Sequence, residues 1–369
     1  MKKLIIFLVV LFYSCNSVER GIEKPEQLND GVETGTPQEV GIDKELIMRM
    51  TDSINLGVYP NIHSVLIFRN NKLVYEHYWS GYDENRETNF IGFTNHHRDS
   101  LHDIRSITKS IISSAVMIAL SQGKIKSLDQ EIFDFFPEFS GYANDIKQKI
   151  TIRHLLTMSA GLDWNDSYND SMKMESVSDT YKLILRKPMV DSPGETFEYR
   201  SSYTQLLSRI VEKATEMDIE VFTKINLFEP LGITNYVWTK EKNGLVSAWA
   251  GLRMRSRDLL KFGLLYLNDG KWKGKQLIPE YLIRESIKTQ IVTEPNYGYG
   301  FQFWTLTETS KNQTISTIEA SGNGGQKIEI NKSKNLIVII TAGNYDKENL
   351  NKYSYDLYLD FIIPSMMKP

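Results

Sequence analysis

The chain has a single cysteine, Cys15, in 369 residues. No internal disulfide can form, so the fold must rest on a packed core. It has no excess of basic charge: 43 Lys and Arg face 46 Asp and Glu, a formal net charge of −3. The electrostatic footprint of a nucleic-acid binder is missing, and so is an acidic tail for a basic partner. The apolar run at residues 4–13 stops after ten residues, half of the ~20 that a membrane-spanning helix needs. There is no Gly-x-Ser-x-Gly elbow and no His-Glu-x-x-His spacing, which leaves an α/β-hydrolase or zincin site unsupported. Repeats and low-complexity segments are also missing. The remainder is globular in composition, 41% hydrophobic, 24% charged and 11% aromatic. That suits one large two-lobed domain or two ordinary ones.

The N-terminus reads as an address. Lys2 and Lys3 precede the short apolar run, and Cys15 follows it directly after Ser14. Residues 1–14 resemble a bacterial lipoprotein signal, with Cys15 as the residue lipidated at the new N-terminus, although Phe12 and Tyr13 are bulkier than usual there. Acyl chains on Cys15 would hold the protein at a membrane surface without spanning it. Residues 15–40, with Pro25 and Pro37, read as a polar tether. Residues 41–369 form the expected folded domain.

Two strand-like runs, residues 64–68 and 73–78, flank the turn Arg69-Asn-Asn-Lys72. Residues 326–330 and 336–341 form a second hairpin pattern, and residues 353–363 show helical spacing. The intervening pattern is mostly helical: residues 107–120, closed by Gly123, then 151–156, 204–214 and 256–267. The prediction is an α+β fold. One antiparallel sheet is built from N- and C-terminal segments, flanked by helices, with a mostly helical lobe inserted between them.

Ser106-Ile-Thr-Lys109 opens the most apolar helix. Ser-x-x-Lys alone says little, since it recurs at Ser121-Gln-Gly-Lys124 and Ser365-Met-Met-Lys368. Only Ser106 stands at a helix start, where Lys109 shares its face and the dipole favours an oxyanion. A serine hydroxyl needs a base, and lysine serves when burial lowers its pKa. Tyr199-Arg-Ser201 follows a turn and precedes a helix; a tyrosine beside Lys109 can relay the proton. Ser321-Gly-Asn323-Gly324-Gly325-Gln326 enters a strand, and its backbone, the Gln326 N–H in particular, suits an oxyanion donor.

In this order, Ser-x-x-Lys, Tyr-x-Ser and the Gly-rich strand entry resemble the β-lactamase-related serine hydrolases. These comprise class C β-lactamases, DD-peptidases and an esterase and amidase branch that includes 6-aminohexanoate-dimer hydrolase-like enzymes. The stretches 151–162, 251–258 and 297–304 are similar to family segments as well. The resemblance implies a β-lactamase/transpeptidase-like fold. Ser106 is then the acylated nucleophile, Lys109 its base, Tyr199 the proton shuttle and Ser201 the end of the second motif. Asn323 stands where the third motif usually has Lys or His, and Ser106 and Gln326 offer the oxyanion N–H groups. Ser201 replaces the commoner Asn, and the uncharged Asn323 removes a cation that would bind a substrate carboxylate; Arg200 and Arg105 are the candidate replacements. These departures point to an ester, small amide or peptide substrate rather than a β-lactam. No cofactor is expected.

His96, His97 and His102, with Asp103, are read as loop residues and no metal is expected; His154 is read as a core histidine, and Asp163, Trp164 and Asp166 as a surface loop. Two function classes remain: an active serine hydrolase of the bacterial cell envelope, or a catalytically silent envelope protein that binds peptidoglycan fragments or a partner.

Overall fold

The computed structural model describes residues 21–86, 90–166, 173–310 and 313–366. The expected signal, Cys15 and the start of the tether lie outside them. Ile62–Arg69 (β1) and Lys72–Tyr78 (β2) form the first hairpin. Asn70 and Asn71 both take left-handed backbone, φ 46° and 65°, as a two-residue turn matched to strand twist requires. Ile291–Glu294 (β3), Tyr297–Tyr299 (β4), Trp304–Ser310 (β5), Gln313–Gly322 (β6), Gln326–Asn331 (β7) and Leu336–Ala342 (β8) complete the main sheet, in the order β3-β4-β5-β6-β7-β8-β1-β2. Neighbours are antiparallel throughout, and β1 pairs directly with β8. The predicted joining of the two ends of the chain in one sheet is therefore what the structure has.

β8 and β1 are buried along nearly their whole length, because both faces are covered. On one face Val65, Ile67, Val338 and Ile340 pack with Lys44–Asn55 (α1) and residues 357–363. On the other, Leu66, Phe68, Ile337 and Ile339 join the larger core around Ile107–Ser121 (α2), Ser201–Thr215 (α3) and Ser256–Leu267 (α4). The helical lobe lies between β2 and β3 in sequence, as expected. It also carries a small sheet of residues 102–103, 252–254 and 236–238.

Two expectations fail here. The described part of the tether, residues 21–40, is not free: Val32 and Thr34 are buried, Thr34 bridges Leu73, and Asp30 pairs with the buried Arg257 at 3.1 Å. Two buried side chains and one strand bridge suffice to dock a segment whose composition looks like a linker. His154 is half-buried and caps a helix: its backbone N–H reaches the Thr151 hydroxyl, and its Nδ1 accepts from the Thr151 N–H at 3.1 Å.

Candidate active site

Helix α2 runs through the middle of the protein, and all residues from Ile107 to Ala119 are buried. An all-apolar helix would suffice for that; this one also carries Ser110 and Ser113, which donate to the carbonyls of Gln302 and Phe301 at 2.7 and 2.8 Å. Those bonds fix the helix against the strand entry. Ser106 is its N-cap, so the serine stands at the positive end of the helix dipole. Arg105, immediately before, takes the left-handed φ of 49°, a conformation that costs a non-glycine residue about 1–2 kcal/mol. Its guanidinium over the Tyr345 ring (4.4 Å) and near Asp103 (3.8 Å) holds it there.

Lys109 lies one turn on, 1% exposed. Its Nζ donates to Ser106 Oγ and to the Trp249 carbonyl, both at 2.9 Å. Burial pulls its pKa from 10.5 to about 7, Asp166 acts against that and Arg86 adds to it. The ammonium form keeps two aromatic faces, Tyr199 at 4.9 Å and Trp249 at 5.5 Å. The amine therefore divides between charged and neutral forms near neutrality.

Tyr199 sits in the same cluster. Burial pushes its phenol well above the ordinary value, opposed by its hydrogen bond with Ser106. Its ring stacks on Trp304 at 5.8 Å and meets Tyr299 edge-on. The structure thus brings together Ser106, Lys109 and Tyr199. Ser201, expected to complete the second motif, faces Asp166. Its N–H and hydroxyl both donate to Asp166, at 2.8 to 3.0 Å. Asp166 also accepts from Trp164 Nε1 at 2.9 Å, so Trp164 and Asp166 belong to the site, while Asp163 is exposed as a surface loop would have it.

Asn323 is exposed, and its carboxamide exchanges two hydrogen bonds with Asp346. Gly324 and Gly325 have φ of 94° and 95°; a side chain at Gly324 would strike the Tyr345 ring and one at Gly325 the Ser354 hydroxyl. Gln326 is fully buried and its amide bridges Ala342, donating at 2.5 Å and accepting at 3.2 Å. These side chains brace the loop. Gly322 touches the Ile104 carbonyl so closely that a Cβ would approach it to 2.4 Å, so the loop lies against the chain two residues before Ser106. The candidate replacement cations are engaged locally: Arg200 with Glu198 at 2.7 Å and Arg105 with Asp103.

Sequence reasoning missed Trp249, Arg86 and Trp304. Trp249 lies two residues before the Gly251-Leu-Arg-Met stretch singled out above, and Trp304 is the last residue of another such stretch; those positions were the only signal.

A family model described as Beta-lactamase matches residues 57–357. An Escherichia coli K12 protein, provisionally named D-alanyl-D-alanine carboxypeptidase, is 27% identical over 256 residues, covering 64% of this chain and 56% of that protein. The chain spans about half to three fifths of the length of the first curated relatives it matches. Among solved structures, a Bacillus anthracis protein provisionally named 6-aminohexanoate-dimer hydrolase superposes with TM-score 0.67 at 19% identity, over 85% of this chain and 83% of that one. A class C β-lactamase gives 0.67 at 16% identity, over 89% and 98%. Both likenesses concern the fold.

Proposed function

The chain belongs to the β-lactamase family of serine hydrolases, and on that premise we propose that it cleaves an ester or small amide through an acyl-enzyme on Ser106. The observation that carries this reading is the 2.9 Å contact between Ser106 Oγ and a buried Lys109 whose pKa lies at about 7. Neutral Lys109 takes the hydroxyl proton as Oγ attacks the carbonyl carbon. Tyr199, held as a neutral phenol, gives its proton to the leaving group as its bond to that carbon breaks and takes in its place the proton that Lys109 removed from Ser106. Water then attacks the acyl carbon, its proton returns through the same groups, and Ser106 is released. The Ser106 N–H at the helix start and the backbone of the loop at residues 322–326 supply the oxyanion donors.

The substrate is neutral near its scissile bond. Three of the cations around the site have carboxylate partners, Lys327 with Glu319 at 2.6 Å, Arg200 with Glu198 and Arg86 with Glu175, and Lys352 stands at the rim of the neighbouring cavity. A cavity of about 370 Å³ lined by Tyr297, Trp304, Glu319, Ser321, Lys327 and Tyr355 begins at the tryptophan that stacks on Tyr199. Its aromatic walls and neutralised ion pair suit an apolar acyl or amine portion. The protein acts in the cell envelope, held by lipid on Cys15; partition of the mature protein into the detergent phase tests that.

A fluorophosphonate probe with mass spectrometry, followed by neutral p-nitrophenyl esters and D-alanyl amides, tests the enzyme reading. An adduct on Ser106 that is lost in Ser106→Ala, with ester turnover, supports it. Preference for D-Ala-D-Ala peptides would instead support the activity in the E. coli relative's name. No adduct and no turnover would make this a silent binding protein.

A further inference from the structure

The histidines read as loop residues are not loose. His102 is buried in the small sheet, His63 is buried on β1, and His96 leans on them: the His63 and His96 rings stack at 4.0 Å. His63 Nδ1 lies 2.8 Å from His102 Nε2, and Asp83 Oδ1 lies 3.7 Å from the same nitrogen. One ligating atom from each of His63, Asp83, His96 and His102 falls within 4.8 Å of every other. His97, adjacent in sequence, is not one of the four.

We propose that His63, Asp83, His96 and His102 form a structural site for a divalent metal ion of the zinc class. Three imidazoles and one carboxylate complete a tetrahedral shell and leave no open position for a substrate, which separates a structural from a catalytic site. Nitrogen-rich donors favour zinc-like ions over magnesium or calcium. The ring orientations fit. His102 Nδ1–H donates to the Asp103 carbonyl at 3.2 Å, which leaves Nε2 with its lone pair toward the cluster, the outer hydrogen bond that metal-bound histidines commonly make. His96 Nε2 is buried and has no hydrogen-bond partner; a buried imidazole nitrogen left so is costly unless something binds the ring. Asp83 is positioned by the Tyr345 hydroxyl, which donates at 3.1 Å.

The backbone makes room: a Cβ at Gly81 or Gly343 would press on the His63 ring. Bonds of about 2.0–2.1 Å put tetrahedral donors about 3.4 Å apart, so on binding the 2.8 Å His63–His102 pair spreads slightly and the wider pairs draw in. His102 stands on the segment that delivers Ser106, so the ion would clamp β1 and two loops to the nucleophile's approach.

The test uses the full chain purified without chelator. Zinc content is measured by mass spectrometry, Zn²⁺ affinity by calorimetry, and Co²⁺ loading by visible absorption. The expected result is about one Zn²⁺ per chain, tetrahedral-type Co²⁺ bands, and a Tm that rises with added Zn²⁺. His96→Ala, at the least buried of the three rings, should fold and lose ~10-fold or more in affinity; His97→Ala should bind as the parent does. A folded parent that takes up no Zn²⁺ and shows no Tm shift overturns the proposal. So does equal binding by His96→Ala and the parent.

Discussion

Two groups of buried bases flank Arg105, and burial treats them differently. At Lys109 burial takes the pKa to about 7 against the charge of Asp166, and the ammonium form also keeps the Trp249 carbonyl and two aromatic faces. At His63, His96 and His102 burial is again the largest cause, and at His63 and His96 a neighbouring imidazole adds to it. A base that keeps partners for its charged form can take and return a proton near neutrality. Bases that face one another with lone pairs are held uncharged, which suits a ligand set and not a proton carrier.

The largest effect expected from breaking this contrast is at the first group. Ser106→Ala and Lys109→Ala should each lower acylation by about 10³-fold or more, measured with an activated ester. Lys109→Arg should fail as badly, since a guanidinium does not deprotonate at neutral pH. Next comes Tyr199→Phe. It keeps the ring on Trp304 and removes the proton relay, for a loss of roughly 10²–10⁴-fold in kcat/KM.

A smaller effect concerns stability. Lys109 has a folded pKa of about 7 against 10.5 for the ordinary side chain. Between those values the unfolded chain holds the proton and the folded one does not, so this group makes the protein more stable as pH rises through that window. At pH 7 it is a burden. Lys109→Met should therefore be inactive yet more stable by about 1–3 kcal/mol in urea unfolding, after the lost hydrogen bonds are set against relief of burial. The difference should shrink as pH rises.

The smallest effect is at the histidines. Their folded pKa values lie below the ordinary 6.5, so stability should fall as pH drops below 6.5 and the unfolded chain takes up protons. His96→Asn should flatten that acid decline, read as Tm against pH in metal-free buffer. An identical slope in both proteins would mean that His96 is not held neutral by the fold.

The contrast also separates what the sequence could and could not reveal. Ser106 and Lys109 lie one helical turn apart, and Tyr199 opens a helix after a turn, so local spacing carried them. The hairpins were equally plain, because Asn70-Asn71 and the apolar runs beside it are local signals. Trp249 reaches Lys109 from 140 residues away, and Asp166 reaches Ser201 from 35; no periodicity encodes such pairings. The histidine cluster is scattered in the same way, with His63 on β1 and Asp83 in a short strand. The expected tether misled for a related reason. Its polar composition was read correctly, but docking was decided by Val32, Thr34 and the partner Arg257 far along the chain.

The central claim is that Lys109, buried to a pKa near neutrality, activates Ser106. It is tested most directly by the rate at which a neutral p-nitrophenyl ester acylates Ser106, followed by intact mass from about pH 5 to 9. The account predicts an adduct on Ser106 whose formation rises with pH through a midpoint at about 7, and neither adduct nor midpoint in Lys109→Met. An adduct that forms equally fast across that range, or that persists in Lys109→Met at the parent rate, would contradict it.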